Sequence, residues 1–362
     1  MKPLIFTVTN DLVYDQRMQR ICHSLAVEGY DVVLVGRKLS SSPALAHSSF
    51  KQIRLTCFIN SGFLFYAEYN IRLFIFLLFS KAALICAIDL DTIAPVWLAS
   101  TIKHTKRVYD AHELFTEQKE IITRPFIHSI WKKIEAFFVP RFPKGYTVNL
   151  FIVEELKKRY QVEYAVVRNL PIHSETTIEP ASEKFLIYQG AVNEGRSFET
   201  LIPAMQQIDI PLHIYGDGNF YLQTAALIKH YKLEHKVILK GKLLPEALKK
   251  ITPQAFAAIM LFEDTGLNQY QSLANRFFDY IMAGVPQLCI NFPEYKRIND
   301  RYEIAVAIED TTVASIVAGI HRLQNDCKRY EQLQKNCVIA RKALCWQEES
   351  QVLLNFYKEI LC

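Results

Sequence analysis

Short apolar runs alternate with segments whose apolar positions recur every third or fourth residue along nearly the whole chain, the pattern of buried parallel strands separated by helices. Leu4 to Thr9 reads as a strand and Asp15 to Glu28 as a helix with Met18, Ile21 and Leu25 inward. Gly29 stops that helix, and Asp31 to Gly36 is the next strand, which completes one βαβ unit. Tyr146 to Asn149 then predicts a strand, Ile152 to Tyr160 a helix, and Val166 to Pro171 a strand leading out of this half. His173 to Glu183, rich in Ser, Thr, Glu and Pro, reads as a linker. A second series follows: strand Phe185 to Gln189, helix Phe198 to Gln207, strand Leu212 to Tyr215, helix Phe220 to Tyr231 and strand Val237 to Leu239. The pattern therefore predicts an α/β protein with two doubly wound halves, residues 1–172 and 184–344, joined by 173–183. A final amphipathic helix spans 345–362, with Trp346, Leu353, Leu354, Phe356 and Tyr357 available for packing.

One stretch departs from the pattern. Phe63 to Ile88 is apolar almost throughout, and a bilayer core needs about 20 apolar residues. Glu68, Arg72 and Lys81 interrupt the run, which favours a buried helix followed by a strand from Ala82 to Ile88 over a membrane span. An aromatic surface between Phe63 and Phe79 that touches a membrane is a further reading.

Composition narrows the class. With 362 residues, and about 150 per domain, two cores are expected. Half of the residues are apolar and 22% are charged, as in a folded globular chain. The net charge of +5 is mild, and no basic run marks a nucleic-acid binder. The eight cysteines are scattered without a C-x-x-C pair and read as buried thiols in a reducing compartment. The start, MKPLIFTVTND, is too short in apolar residues for a signal-peptide core and reads as a first strand in a cytoplasmic protein.

Candidate chemistry gathers at predicted strand ends. Ile259 to Ile290, IMLFEDTGLNQYQSLANRFFDYIMAGVPQLCI, reads as strand, polar loop, helix, Gly284–Pro286 stop and second strand. A loop beyond a strand's carboxyl end, followed by a helix N-terminus, suits an anion such as a diphosphate. Gly190-Ala191-Val192-Asn193-Glu194-Gly195-Arg196 places a flexible loop and a guanidinium before another helix, again fit for phosphate. In the first half, RVYDAHELF puts His112 just past a strand between Asp110 and Glu113, which can fix the tautomer of a neutral imidazole and leave one nitrogen for a sugar hydroxyl. Asn10, Asp11 and Asp15 border the first βα turn as acceptor-side or helix-capping groups. That turn lacks G-x-G-x-x-G, so NAD is not expected. Asp89-Leu90-Asp91 is the one D-x-D, and on extended backbone its carboxylates diverge, so no metal site is expected.

QYQSLANRFFDYIMAG resembles the donor-site motif of retaining, nucleotide-sugar-dependent glycosyltransferases of the family 4 type, and Asp110-Ala111-His112-Glu113 resembles their N-domain motif. The resemblance implies the GT-B fold, with a cleft between two Rossmann-like domains and a C-terminal helix that crosses back to the first. It implies transfer of a sugar, retaining and without a metal, from a nucleotide-diphosphate sugar to an acceptor glycan, lipid-linked sugar or other hydroxyl. No cofactor is implied; the cellular setting would be bacterial-type polysaccharide or glycolipid synthesis, at the inner face of the membrane. Gln271 and Asp279 stand where the family has two glutamates, and Ala191 stands where it has its first phosphate-binding arginine. By the same resemblance Asp279 binds the ribose, while Ser272, Leu273 and Ala274 cradle the diphosphate through backbone N–H groups, beside Asn275 and Arg276. Arg196 takes the family's lysine position; Gly190, Asn193, Gly216, Gly218 and Gly241 line the nucleotide pocket, and His112 lies near the transferred sugar. A nucleotide-sugar 2-epimerase of the same fold and a catalytically idle sugar-nucleotide binder are the alternatives.

Overall fold

In a computed structural model, which describes residues 3–13, 15–173 and 183–361, the short apolar runs become two all-parallel sheets. The first has seven strands: β1 (Leu4–Thr7), β2 (Val32–Lys38), β3 (Lys51–Thr56), β4 (Leu84–Ile88), β5 (Lys106–Ala111), β6 (Gly145–Thr147) and β7 (Ala165–Val166). They stand in the order β3-β2-β1-β4-β5-β6-β7. Its helices are α1 (Gln16–Val27), α2 (Gly62–Phe79), α3 (Ile93–Ile102), α4 (Lys119–Ile122), α5 (Pro125–Phe138) and α6 (Leu150–Tyr160). The second sheet has six strands, β8 (Leu186–Gln189), β9 (Leu212–Tyr215), β10 (Val237–Gly241), β11 (Ala257–Met260), β12 (Gln287–Ile290) and β13 (Ala305–Ile308), in the order β10-β9-β8-β11-β12-β13. Around it lie α7 (Phe198–Ala204), α8 (Tyr221–His230), α9 (Pro245–Ile251), α10 (Leu267–Tyr270), α11 (Asn275–Met282), α12 (Pro293–Tyr302), α13 (Val313–Asn325) and α14 (Cys327–Ala343).

Strands such as β4 and β11 are buried at every position, because helices cover both faces of a parallel sheet. In each sheet the winding reverses once, between β1 and β4 in the first and between β8 and β11 in the second. At such a switch point adjacent crossovers run to opposite faces and leave a crevice beyond the strands' carboxyl ends.

The chain divides into two compact units, Met1–Asn169 with Glu349–Cys362, and Leu170–Glu348. Leu170, read from sequence as part of the first half, is buried in the second unit's core. Most of the linker predicted at 173–183 lies outside the described residues. The last helix, α15 (Trp346–Leu361), begins in the second unit, and from Glu349 onward belongs to the first. Glu349 pairs with Arg168 at 3.2 Å, Lys358 with Glu28 at 2.8 Å, and the Tyr357 ring lies 5.8 Å from Phe6.

Three differences from the sequence reading have plain causes. Strand β3 carries exposed and half-buried residues without a clean apolar run, as an edge strand does, and so gave no signal. Helix α2 is not a buried helix: Phe65, Tyr69, Leu73 and Leu77 enter the first core, whereas its opposite face is apolar and stays in solvent. Cys327 is exposed at the start of α14, unlike the buried Cys22, Cys57, Cys86, Cys289, Cys337 and Cys345.

Candidate functional site

In the second unit the switch point holds two arginines on one ring. β11 delivers Leu261 and Phe262 to its carboxyl end, β8 ends at Gln189, and α11 begins at Asn275, which aims Arg276 back between them. The Arg276 guanidinium is buried; it donates to Tyr188 Oη at 2.6 Å and to the Leu261 carbonyl at 3.3 Å. It lies 4.6 Å from the Phe262 ring centroid, and Arg196 lies 4.1 Å from the same ring. Among the described residues neither guanidinium has a carboxylate partner, and Arg196 Nε is buried without a hydrogen-bond acceptor. Burial, and then the Arg276 charge, push the Arg196 pKa down to about 10. Two cations on one ring, one buried and one half-buried, suit a multiply charged anion.

The walls are backbone. Gly190 has φ of +121°, and a Cβ there would approach Arg276 Nη1 to 3.4 Å. A Cβ on Gly216 would overlap the Gly190 carbonyl oxygen, and one on Gly218 would overlap Asn193 Oδ1 and the Val192 carbonyl. These glycines thus allow two loops to pack backbone to backbone. Val192 N–H donates to the Asp217 carbonyl at 3.0 Å, Asn219 N–H to Asn193 Oδ1 at 3.1 Å, and Gly216 N–H to the Gly241 carbonyl at 2.9 Å. The side-chain oxygen of Asn193 is therefore engaged in the wall. Asp279 is half-buried on α11 and accepts from Gln189 Nε2 at 3.3 Å, while Gln189 Oε1 accepts from Thr252 at 2.7 Å.

Two of the three N–H groups expected to form the cradle have acceptors within the protein. Ser272 N–H donates to the Gln269 carbonyl at 3.2 Å, and Ala274 N–H to Tyr295 Oη at 3.0 Å. Ala274 is the N-cap and Asn275 the first helical residue, which leaves Leu273 as the cradle N–H without a bond among the described residues. The loop preferred a tight turn with Gln269, whose side chain also donates to the Gly195 carbonyl at 2.8 Å.

In the first unit the corresponding edge holds a charged cluster. His112 follows β5, with Nδ1 3.2 Å from Asp89 Oδ2 and Nε2 3.4 Å from Asp110 Oδ2, and its N–H donates to Asp89 Oδ1 at 2.9 Å. The Nε2 contact has no hydrogen-bond alignment. Asp110 is fully buried and ion-paired with Arg17 at 3.0 Å, so it lies behind the site instead of facing an acceptor. Burial opposes the imidazolium, but Asp89 and Asp110 outweigh it and raise the His112 pKa to about 10. The two carboxylates thus favour the imidazolium, where the sequence reading expected a neutral imidazole. Its second partner is Asp89, brought up by β4, and not Glu113, which accepts from Gln118 at 2.6 Å.

The residues of the first βα turn are mostly engaged. Asp11 pairs with Arg54 at 2.6 Å and accepts from Ser42, Asp15 caps α1 by accepting from Met18 N–H at 3.0 Å, and Asn10 is exposed. Asp91, weighed in the sequence only as half of the D-x-D, lies beside this cluster. It accepts from Thr9 Oγ1 at 2.7 Å, and burial, with Asp89 and Glu113 nearby, raises its pKa to about 7. Tyr188 and Phe262, which hold the two arginines, were missed in the sequence. Their position as strand-end aromatics was the available signal.

Residues 172–338 match the family described as "Glycosyl transferases group 1". No curated protein matches the chain by sequence. Sucrose-phosphate synthase from Thermosynechococcus elongatus is similar in structure, with a TM-score of 0.81 at 16% identity over 99% of both chains. A glycosyltransferase from Rickettsia africae gives 0.76 at 11% identity over 99% of both chains. Anabaena HepE, solved in complex with UDP-glucose, gives 0.75 at 11% identity over 99% of this chain and 100% of its own. The fold is GT-B, two Rossmann-like α/β domains.

Proposed function

We propose that the protein is a retaining glycosyltransferase that moves a hexose-like sugar from a nucleotide-diphosphate donor to an acceptor hydroxyl. The observation that carries this reading is the pair Arg196 and Arg276 on Phe262, a half-buried and a buried cation without a carboxylate partner among the described residues, at the carboxyl edge of the second unit. The diphosphate of the donor supplies the missing counter-charge, and the same cations stabilise the extra charge that it gains on leaving. The match of residues 172–338 to group 1 glycosyl transferases, which spans both arginines, supports the reading. So does the UDP-glucose named for Anabaena HepE.

In this mechanism the first unit positions the sugar. Arg17, Asp110, Asp89 and His112 form a neutral set of two cations and two carboxylates, so His112 acts as a fixed N–H donor and not as a base. The departing phosphate takes the proton of the acceptor hydroxyl as that oxygen attacks on the face it leaves, which retains the anomeric configuration. Asp279, next to Gln189, is the carboxylate assigned to the ribose hydroxyls. No metal is required in this scheme, because Arg196 and Arg276 meet the phosphates and Asp89 is already bound to His112. The acceptor is a hydroxyl of a glycan, a lipid-linked sugar or another molecule.

The test is donor consumption across a panel of nucleotide sugars, with and without a chelator. Slow release of free sugar and nucleoside diphosphate, unchanged by the chelator, is expected. An epimerised or unsaturated sugar would move the protein to the epimerase class, and binding without turnover to the idle binders. Loss of activity with chelator, restored by magnesium or manganese, would remove the metal-independent scheme.

A further inference from the structure

The formal net charge of the whole chain is +5, and residues 229–250 account for all of it, with seven lysines against Glu234 and Glu246. The segment runs from the last turn of α8 through β10 into α9, and β10 is the outermost strand of the second sheet. Six of the seven lysines are exposed, and Lys236 is half-buried. Lys249 pairs with Glu246 at 2.7 Å; the other six have no carboxylate partner among the described residues.

A lysine or two on an edge strand is a common device against pairing with another sheet. This set exceeds that use, because Lys229 lies on α8, Lys232 in the turn after it and Lys250 on α9, beside the strand instead of on its free edge. Like charges gathered in this way repel one another and raise a local field. The field reaches into the sheet: His213 on β9 has its pKa lowered by burial and then by the Lys240 charge. An anion from outside the chain would relieve that repulsion.

Lys236, Lys240 and Lys242 follow the strand over about 20 Å, at about 3.3 Å per residue. The row ends at the carboxyl edge of the sheet, where the Gly241 carbonyl accepts from Gly216 N–H in the wall of the candidate donor site. A linear anion laid along β10 therefore leads to that edge. The residue types narrow its chemistry. Residues 229–250 hold no arginine, so no planar fork is present to grip a phosphate or stack on a base. Tyr231 is half-buried with its ring against His230, which leaves no free aromatic platform for a base either. Leu244 is the one large apolar side chain exposed in this segment, too little to insert into a bilayer. Compact ammonium groups on flexible stems suit carboxylates spaced along a chain.

We infer that the lysine face along β10 binds an acidic polysaccharide, a glycan with carboxylates along its length, and holds it beside the donor site of the second unit. The choice of a glycan as the partner rests on the glycosyltransferase reading; the charge row itself does not. Each exposed ammonium contributes a small attraction that salt screens, so affinity accumulates with the number of lysines that one chain spans.

Binding is measured on the full chain without donor, by fluorescence anisotropy of a short and a long end-labelled oligogalacturonate, at low salt and at about 0.5 M salt. The long oligomer should bind more tightly than the short one, and salt should weaken it. Lys236→Glu/Lys240→Glu/Lys242→Glu should raise its Kd about tenfold or more at wild-type melting temperature, whereas arginine at the same three positions should keep the affinity. Failure of the long oligomer to bind at low salt would overturn the inference. So would a Kd that the glutamate variant leaves unchanged, which would place the oligomer on Arg196 and Arg276 instead. Tighter binding of duplex DNA or of anionic vesicles, at equal concentration of charge, would overturn it as well. A chain that binds the oligomer and consumes no donor sugar upholds the docking and removes the transferase reading alone.

Discussion

Arg17 and Asp110 form an ion pair of 3.0 Å with side chains 5% and 0% exposed, and Asp110 in turn lies 3.4 Å from His112. A buried carboxylate so placed depends on its cation, because removal of one partner leaves an uncompensated charge in the core. Arg17→Met should therefore destabilise the first unit by about 3–5 kcal/mol. Urea unfolding followed in that unit measures it; a loss below about 1 kcal/mol would show that Asp110 is relieved by protonation or by water.

The raised pKa of His112 makes a prediction about pH. Its folded value of about 10 lies above the ordinary value of about 6.5. The imidazolium therefore contributes stability that is fully present below about pH 6.5 and is lost as pH rises toward 10. The urea midpoint of wild type should fall across that window more steeply than that of His112→Gln. Parallel curves for the two proteins would mean that the imidazole is neutral in the folded state.

Arg196→Ala should weaken donor binding and lower turnover together, since the guanidinium meets the diphosphate both before and during departure. Charge-assisted bonds contribute about 1.5–3 kcal/mol, which corresponds to a loss of tenfold to a hundredfold in kcat/KM. Steady-state kinetics with the best donor decides it. Unchanged constants would assign Arg196 to packing on Phe262 alone.

His112→Ala should slow transfer and leave nucleoside-diphosphate affinity within about twofold, because the nucleotide is assigned to the second unit. The transfer rate and a calorimetric binding constant, taken at equal folding stability, form the test. Equal losses in both would make His112 a structural residue only.

Much of this architecture was legible in the residues because strand and helix periods are local. The apolar runs from Leu4 and from Phe185, and the Gly-Pro stop after Met282, depend on neighbours within one element. The placement of Arg196 and of the loop before α11 at one sheet edge was legible for the same reason, since strand ends and helix starts in a parallel sheet fall on one edge.

What the sequence could not decide were relationships between residues far apart in the chain. Asp89 replaces Glu113 as the partner of His112 because β4 and β5 are neighbours in the sheet, which sets Asp89 beside the end of β5. Tyr295 takes the N–H of Ala274 from the expected cradle because α12 packs against that loop. Helix α2 reads as apolar on every side, and only the packed unit shows which side is covered. Charge, too, is decided there: whether an imidazole is neutral or cationic depends on carboxylates within a few ångströms and on the water excluded around them, and neither is a property of the chain in order.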